Sequence, residues 1–371
     1  MITVSSMPAR AAAHYYSKTS TFGPLSAVAV IYSALASLSI ACLKPIPFIN
    51  RGLPQPKEIP KLVVTDKLAI VTGSNVGIGY ETAKALVERG YEVVLACRSE
   101  EKALQAIAQM KQELSNTVPG KVVFHGTLDL SSFQSVNEFS DKIKSKYDKI
   151  DLLINNAGRN SSGKSEKNLD LCFQTNFLGH FVLTQNLMDL LLKATRPRVI
   201  NLSSVMHHYC HADQHDEAYW KANAIYGPAS EENSYSASKL AALLFSIELN
   251  KRYQAKGLRS IAVNPGAVNS DIWRNYPRWM VTIFSKIYLT VKQGASTTIA
   301  ASVLDDLPSD AIYLQPYYQA KTDVAPFPPF EMLGPFVGYE VTVPRLPKDG
   351  TNGELSAKAL WKVSEELTKV D

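Results

Sequence analysis

The chain has 371 residues, 46% hydrophobic and 20% charged, which is ordinary globular composition for one large domain or two small ones. Its net charge of +5 comes without an arginine-rich tract, so nucleic acid is not an implied partner. Four cysteines, Cys42, Cys97, Cys172 and Cys210, form no Cys-x-x-Cys pair, which argues against a disulfide framework and suits a reducing compartment.

No Asp or Glu precedes Glu58. Residues 1–18 carry Arg10 and Lys18, and residues 19–43 are uncharged. A helix from Gly23 to Leu43 would span about 30 Å, the thickness of a bilayer's hydrocarbon core. Four serines and Pro24 dilute that run. The expectation is a membrane anchor at 19–43, with a cleaved targeting segment or a surface-lying helix as alternatives. Lys44, Arg51, Lys57 and Lys61 follow the run, and the positive-inside rule puts the large C-terminal part in the cytoplasm. Residues 44–65 are proline-rich and read as a stiff linker.

Leu68 to Thr72 reads as a buried parallel strand. Gly73, Gly77 and Gly79 follow it, then a helical pattern from Ile78 to Arg89, a stop at Gly90 and a second strand, "EVVLAC". This is a βαβ unit whose glycine turn lets a pyrophosphate approach the backbone at a helix N-terminus. The second strand ends in Cys97-Arg98-Ser99, without the acid that would accept from a ribose 2′-OH. A guanidinium there suits a 2′-phosphate, so the spacing predicts NADP rather than NAD, with NAD as the alternative. "VVFHGTLDLSS" predicts a third strand ending near Asp129, which would accept from the adenine amino group or cap the next helix. "KIDLLINNAG" predicts a fourth strand closed by Asn155, Asn156, Ala157 and Gly158.

A long helix is expected over about 168–195, with Asn176 among apolar residues and in need of a partner. The strand "PRVINLSS" ends in Ser203-Ser204; an insert, the stretch "YSASK" with its helix, and the strand "RSIAVNPG" follow. Tyrosine four residues before lysine occurs as Tyr80/Lys84, Tyr235/Lys239, Tyr288/Lys292 and Tyr317/Lys321. Only Tyr235/Lys239 lies between a serine-tipped strand and a buried strand ending in Asn-Pro-Gly. A free tyrosine has a pKa of about 10, too high for an efficient base near neutrality. A lysine one helical turn away shares its face, and its charge stabilises the phenolate.

In this order, "TGSNVGIG", "NNAG", "TNFLGHF", "VINLSS", "YSASK" and "NPG" resemble the short-chain dehydrogenase/reductase family over about residues 66–310. The resemblance implies an α/β fold with a single Rossmann-like, doubly wound parallel sheet. It implies a catalytic set of Asn176, Ser204, Tyr235 and Lys239, with no metal. It maps Gly73, Asn75, Gly77, Ile78, Gly79, Arg98, Asp129, Asn156, Ala157, Gly158, Tyr235 and Lys239 to the dinucleotide. It maps Pro265, Gly266, Val268 and Ser270 next to the nicotinamide. "ACRS", "NFLGHF" and the long gap from Ser204 to Tyr235 resemble the retinol-dehydrogenase-like branch. That branch implies a lipophilic retinoid- or polyprenol-like alcohol or carbonyl substrate, N-terminal membrane attachment and an endoplasmic reticulum location. An organelle address, mitochondrion or plastid, is the alternative. Rival functions are a steroid or fatty-acyl ketone reductase and a non-catalytic NADPH-binding membrane scaffold. A homodimer would pair through the helices at about 168–195 and 236–256.

His207, His208, Cys210, His211 and His215 cluster in the insert, but their spacing repeats no zinc-ligand pair, and they read as the wall of a substrate loop. Residues 311–371 read as an extension: a Pro- and aromatic-rich stretch suited to an apolar lid, core packing or an interaction segment, then an amphipathic helix, "ELSAKALWKVSEELTKV".

Overall fold

The computed structural model describes residues 59–115, 117–161, 163–210, 216–227, 231–270, 288–318, 336–342, 344, 346–347 and 349–369. The anchor and N-terminal segment expected at 1–43, His211, His215 and the proline cluster at 325–330 lie outside them. Among the described residues no helix is long and apolar enough to cross a membrane. The end of the linker is pinned to the domain: the Arg89 guanidinium donates to Ile59 O at 3.2 Å and Pro60 O at 3.1 Å.

The sheet has eight strands in the order β3-β2-β1-β4-β5-β6-β7-β8. They are β1 Leu68–Thr72, β2 Glu92–Ala96, β3 Lys121–Val123, β4 Leu152–Asn155, β5 Arg198–Leu202, β6 Arg259–Val263, β7 Tyr313–Tyr318 and β8 Phe336–Val341. The first seven are parallel and β8 runs antiparallel to β7. Reversal of chain order about β1 and β4 makes the sheet doubly wound.

The central strands β1, β4 and β5 are buried along their length because helices cover both faces. Side chains alternate between two cores: Leu68 and Ile70 point into one, Ala69 and Val71 into the other. The second core receives α1 Gly77–Val87, α2 Glu100–Glu113 and, from far along the chain, α9 Val291–Val303. The first receives α3 Phe133–Lys144, α4 Leu171–Phe173, α5 Gly179–Asn186, α6 Met188–Leu191, α7 Glu217–Ile225, α8 Glu231–Tyr253 and α10 Glu354–Thr368.

The structure departs from the sequence reading in four places. β3 stops at Val123, so Asp129 sits in the loop beyond it. The long helix is interrupted: a π turn, Gln174–Leu178, joins α4 to α5. α8 begins at Glu231, a turn ahead of Tyr235. Past residue 310, where an extension was expected, the sheet gains β7 and β8, and α10 joins the first core. Trp361 on α10 is 2% exposed, its ring 5.1 Å from that of Phe181 and 5.9 Å from that of Phe245. The Arg252 guanidinium lies 4.1 Å from the centroid of the Trp361 ring as its cation–π partner.

Candidate active site

β1 delivers the chain to Gly73 and Gly77, both left-handed at φ of 63° and 62°. A side chain on Gly79 would strike Gly73 O and Asn156 Nδ2, so only glycine lets α1 start this close to the strand ends. At Gly77 an added Cβ would meet nothing within 4 Å, which leaves open space above the helix N-terminus. The turn is braced from behind. Asn156 Nδ2 donates to Thr72 O at 2.7 Å and Gly73 O at 3.3 Å. The amides of Asn156 and Ala157 each donate to Thr72 Oγ1 at 2.9 Å. The side chain of Asn156 is therefore committed inward, and it gives the cradle its shape.

Asn75 and Ile78 are half-buried in the same turn. Ile78 packs on Val268 and Leu289, so the glycine turn and the segment after β6 meet. That segment holds Pro265 and Gly266; Gly266 is left-handed at φ 82° and its amide donates to Asn264 Oδ1 at 3.0 Å. Ser270 is the last described residue before 288. Arg98 stands exposed just past β2, with no hydrogen-bond or ion-pair partner among the described residues. Asp129 Oδ1 accepts from Ser131 N at 2.9 Å and Ser131 Oγ at 2.6 Å. The N-cap of α3 is Ser132, so Asp129 does not cap that helix.

On α8, Lys239 is 4% exposed and its Nζ donates to Leu202 O, at the end of β5, at 2.9 Å. That Nζ lies 5.4 Å from the Tyr235 ring centroid. Burial pushes the Lys239 ammonium down to about 8, opposed by the nearby Cys172. Ser203 Oγ donates to Lys239 O at 2.8 Å, so one of the paired serines fixes the lysine backbone. Ser204 is half-buried just past β5; its Oγ accepts from Met206 N at 3.3 Å.

Asn176 takes its partners from across the site. Its Nδ2 donates to Arg159 O and Ser238 Oγ, both at 3.0 Å, and its Oδ1 accepts from Arg159 N at 2.8 Å. Ser238 Oγ passes the link to Tyr235 O at 2.7 Å. Gly158 abuts both groups: a Cβ there would lie 3.4 Å from Lys239 Nζ and 3.5 Å from Asn176 Oδ1. Asn176, Gly158, Tyr235 and Lys239 thus meet at the C-terminal ends of β4 and β5, where ligands bind in open α/β sheets. Thr72 and Ser238 were not singled out from sequence, although both lie inside the quoted motifs.

The other tyrosine–lysine pairs are accounted for. Tyr80 is buried in the second core, and Lys84 pairs with Glu113 at 2.5 Å. Tyr288 precedes α9 and Lys292 lies in its first turn. Tyr317 is in β7, and Lys321 is outside the described residues. In the insert, His207 is buried with its ring 4.2 Å from that of His208, and Cys210 is half-buried.

Residues 67–215 match the family model described as short chain dehydrogenase. The chain is 34% identical over 248 residues to human (Homo sapiens) retinol dehydrogenase 11, covering 65% of this chain and 74% of that one. It is 35% identical over 255 residues to polyprenol dehydrogenase of Homo sapiens, covering 65% and 74%. Among solved structures, an uncharacterized protein of Mycobacterium paratuberculosis matches with a TM-score of 0.60 at 29% identity, covering 84% of this chain and 96% of that one. L-sorbose reductase of Gluconobacter frateurii, complexed with NADPH and L-sorbose, shares the fold at a TM-score of 0.51 and 16% identity, covering 65% and 90%. The chain belongs to the short-chain dehydrogenase/reductase family of oxidoreductases.

Proposed function

We propose that the protein is an NADP-preferring oxidoreductase that interconverts a lipophilic alcohol and its aldehyde or ketone, with Tyr235 as the acid–base group. The observation that supports it most is Lys239, an ammonium enclosed at 4% exposure beside a tyrosine ring. Enclosing a charge is costly, and strongly perturbed groups of this kind gather at functional sites. Held at about 8, the ammonium keeps its proton at neutral pH. Its charge favours the phenolate of Tyr235, which then takes the alcohol proton in oxidation and returns it in reduction. Ser204 holds the substrate oxygen. Asn176, tied to Ser238 and beside Lys239, supports a water-linked path for the proton.

The cradle fits a dinucleotide, given the open space at Gly77 and the left-handed glycines around it. Asn75, Gly77, Ile78 and Gly79 would present amides to the pyrophosphate, while Gly73, whose own amide donates to Ala96 O at 2.9 Å, would shape the turn beneath it. Arg98 would take the 2′-phosphate and Asp129 the adenine edge. Asn156, Ala157 and Gly158 would line the cofactor, and Lys239 would hold the ribose. Pro265, Gly266, Val268 and Ser270 would flank the nicotinamide. Bound there, the cofactor supplies or accepts the hydride. Relatives named for retinol and polyprenol support a lipophilic substrate, and a membrane-attached chain at the endoplasmic reticulum would meet such substrates directly.

The test uses full-length protein in detergent with NADPH and a panel of a retinal, a long-chain isoprenoid aldehyde and a steroid ketone. Turnover is expected on the isoprenoid aldehydes, and Tyr235→Phe should abolish it with NADPH affinity unchanged within about threefold. Full turnover in that variant would remove Tyr235 from the mechanism. Preference for the steroid would redirect the substrate class. NADPH binding with no oxidation of any substrate would favour the scaffold reading.

A further inference from the structure

His180 is 3% exposed and has no part in the chemistry above. Its two ring nitrogens reach opposite sides of the site. Nδ1 lies 3.0 Å from the main-chain carbonyl oxygen of Asn176, and Nε2 lies 2.8 Å from Thr72 Oγ1. The tautomer follows by exhaustion. A carbonyl only accepts, so Nδ1 carries the proton. Thr72 Oγ1 already accepts from Asn156 N and Ala157 N, which uses both lone pairs, so its own hydrogen must be donated. Nε2 at 2.8 Å competes for that hydrogen with Ile154 O at 3.3 Å. The shorter contact wins, and the bare Nε2 of a neutral imidazole can only accept. Every link in the chain then points one way: Asn156 and Ala157 amides to Thr72, Thr72 hydroxyl to His180, His180 to Asn176. Burial, reinforced by the Lys239 charge, pushes the imidazole down to about 4, against the hydrogen bond to Asn176 that raises it. The ring stays neutral and keeps one tautomer through the physiological range.

The carbonyl that His180 holds belongs to the middle residue of the π turn. That turn is a wide ring, in which Gly179 N reaches back five residues to Gln174 O. Regular α-helical winding is its lower-energy competitor, and such turns persist where something holds them open. The side chain of Asn176 depends on this winding to face Arg159 and Ser238.

We propose that His180 is a positioning residue that ties the π turn carrying Asn176 to the strand end and the Asn156–Ala157 loop of the nucleotide cradle. The inference rests on the reaction proposed above. Its effect is to keep Asn176 in place beside Lys239 while the cradle fills and empties. Without the tie, the turn relaxes and Asn176 swings off Ser238. The loss falls on proton transfer, because Thr72 still holds the Asn156 and Ala157 amides.

The experiment compares His180→Phe and His180→Asn in the full chain, with kcat, KM and NADPH affinity measured separately. Phenylalanine keeps the ring volume and removes both hydrogen bonds. Asparagine places an amide N–H near the position of Nδ1. The phenylalanine variant should lose about tenfold or more in kcat, as expected when a proton path is disturbed, with NADPH affinity within about threefold. The asparagine variant should recover most of that loss. A phenylalanine variant within about twofold of wild type in kcat overturns the proposal. So does an asparagine variant no better than phenylalanine, or a parallel loss of kcat and NADPH affinity in both. A second arm needs no turnover: ¹⁵N spectra of the His180 ring should show a proton on Nδ1 and no titration between about pH 5 and pH 8. A proton on Nε2, or a titration in that window, removes the tie. If wild type itself turns over no substrate, the functional reading fails, while this arm still decides the tie; it also decides it if the phenylalanine variant does not fold.

Discussion

Replacing Lys239 with methionine should separate stability from activity. The side chain is 4% exposed and donates to Leu202 O at 2.9 Å. Its fall from the ordinary lysine value near 10.4 to about 8, at about 1.4 kcal/mol per pH unit, puts the burden on the charged form at about 3 kcal/mol. Methionine has similar length and flexibility and carries no charge. It leaves Leu202 O without the lysine donor, which costs about 1–3 kcal/mol. The variant should therefore be as stable as wild type or up to about 2 kcal/mol more stable, with turnover lost. The folded-state pKa lies below the unfolded one, so the unfolded chain binds the extra proton between about 8 and 10.4, and wild-type stability rises with pH across that window. The advantage of methionine is thus full below about pH 8 and shrinks above it. Urea unfolding at pH 7 and pH 10, without cofactor, reads both effects. A variant destabilised by more than about 1 kcal/mol at pH 7, or an advantage that grows with pH, would refute the reasoning.

Arg98→Asp should lower the NADPH-over-NADH preference in kcat/KM by about a hundredfold with no change in unfolding; an unchanged ratio removes Arg98 from cofactor choice. Gly77→Ala should cost only about 1 kcal/mol of stability for its left-handed backbone, because nothing crowds a Cβ there, yet raise KM for NADPH at least tenfold. An unchanged KM makes that glycine turn a turn and nothing more. Trp361→Ala should destabilise by about 3–5 kcal/mol and lower Tm by roughly 10 °C. An unshifted Tm would make α10 peripheral.

Strands β1 to β6 were legible because each is a short apolar run closed by a turn, and the glycine turn because it falls between strand and helix. Pro316 hid β7. A proline in a strand argues against it, since it has no N–H to give. Here β6 pairs only with Tyr313 and Leu314, and opposite Pro316 stands Tyr339 of β8, so the missing donor breaks no bond to β6. The π turn was not legible because one extra residue leaves the apolar pattern of the helix nearly unchanged. The candidate site was read best where its residues are neighbours in sequence, as in "YSASK". His180 escaped because a lone histidine on an apolar helix reads as core, and its partner Thr72 is 108 positions away.

The packing of Trp361 against Phe181 and Phe245 also sets an order of events in synthesis. Both phenylalanines emerge from the ribosome well before Trp361 does. At about 5–20 residues per second, the roughly hundred residues after Phe245 leave its side of α8 bare for some 5 to 20 s. Throughout that interval the nucleotide-binding half can already fold, while the helix bearing Tyr235 and Lys239 shows aromatic surface to the cell. That aromatic face stays uncovered until α10 docks, so the first core is complete only once α10 has left the ribosome.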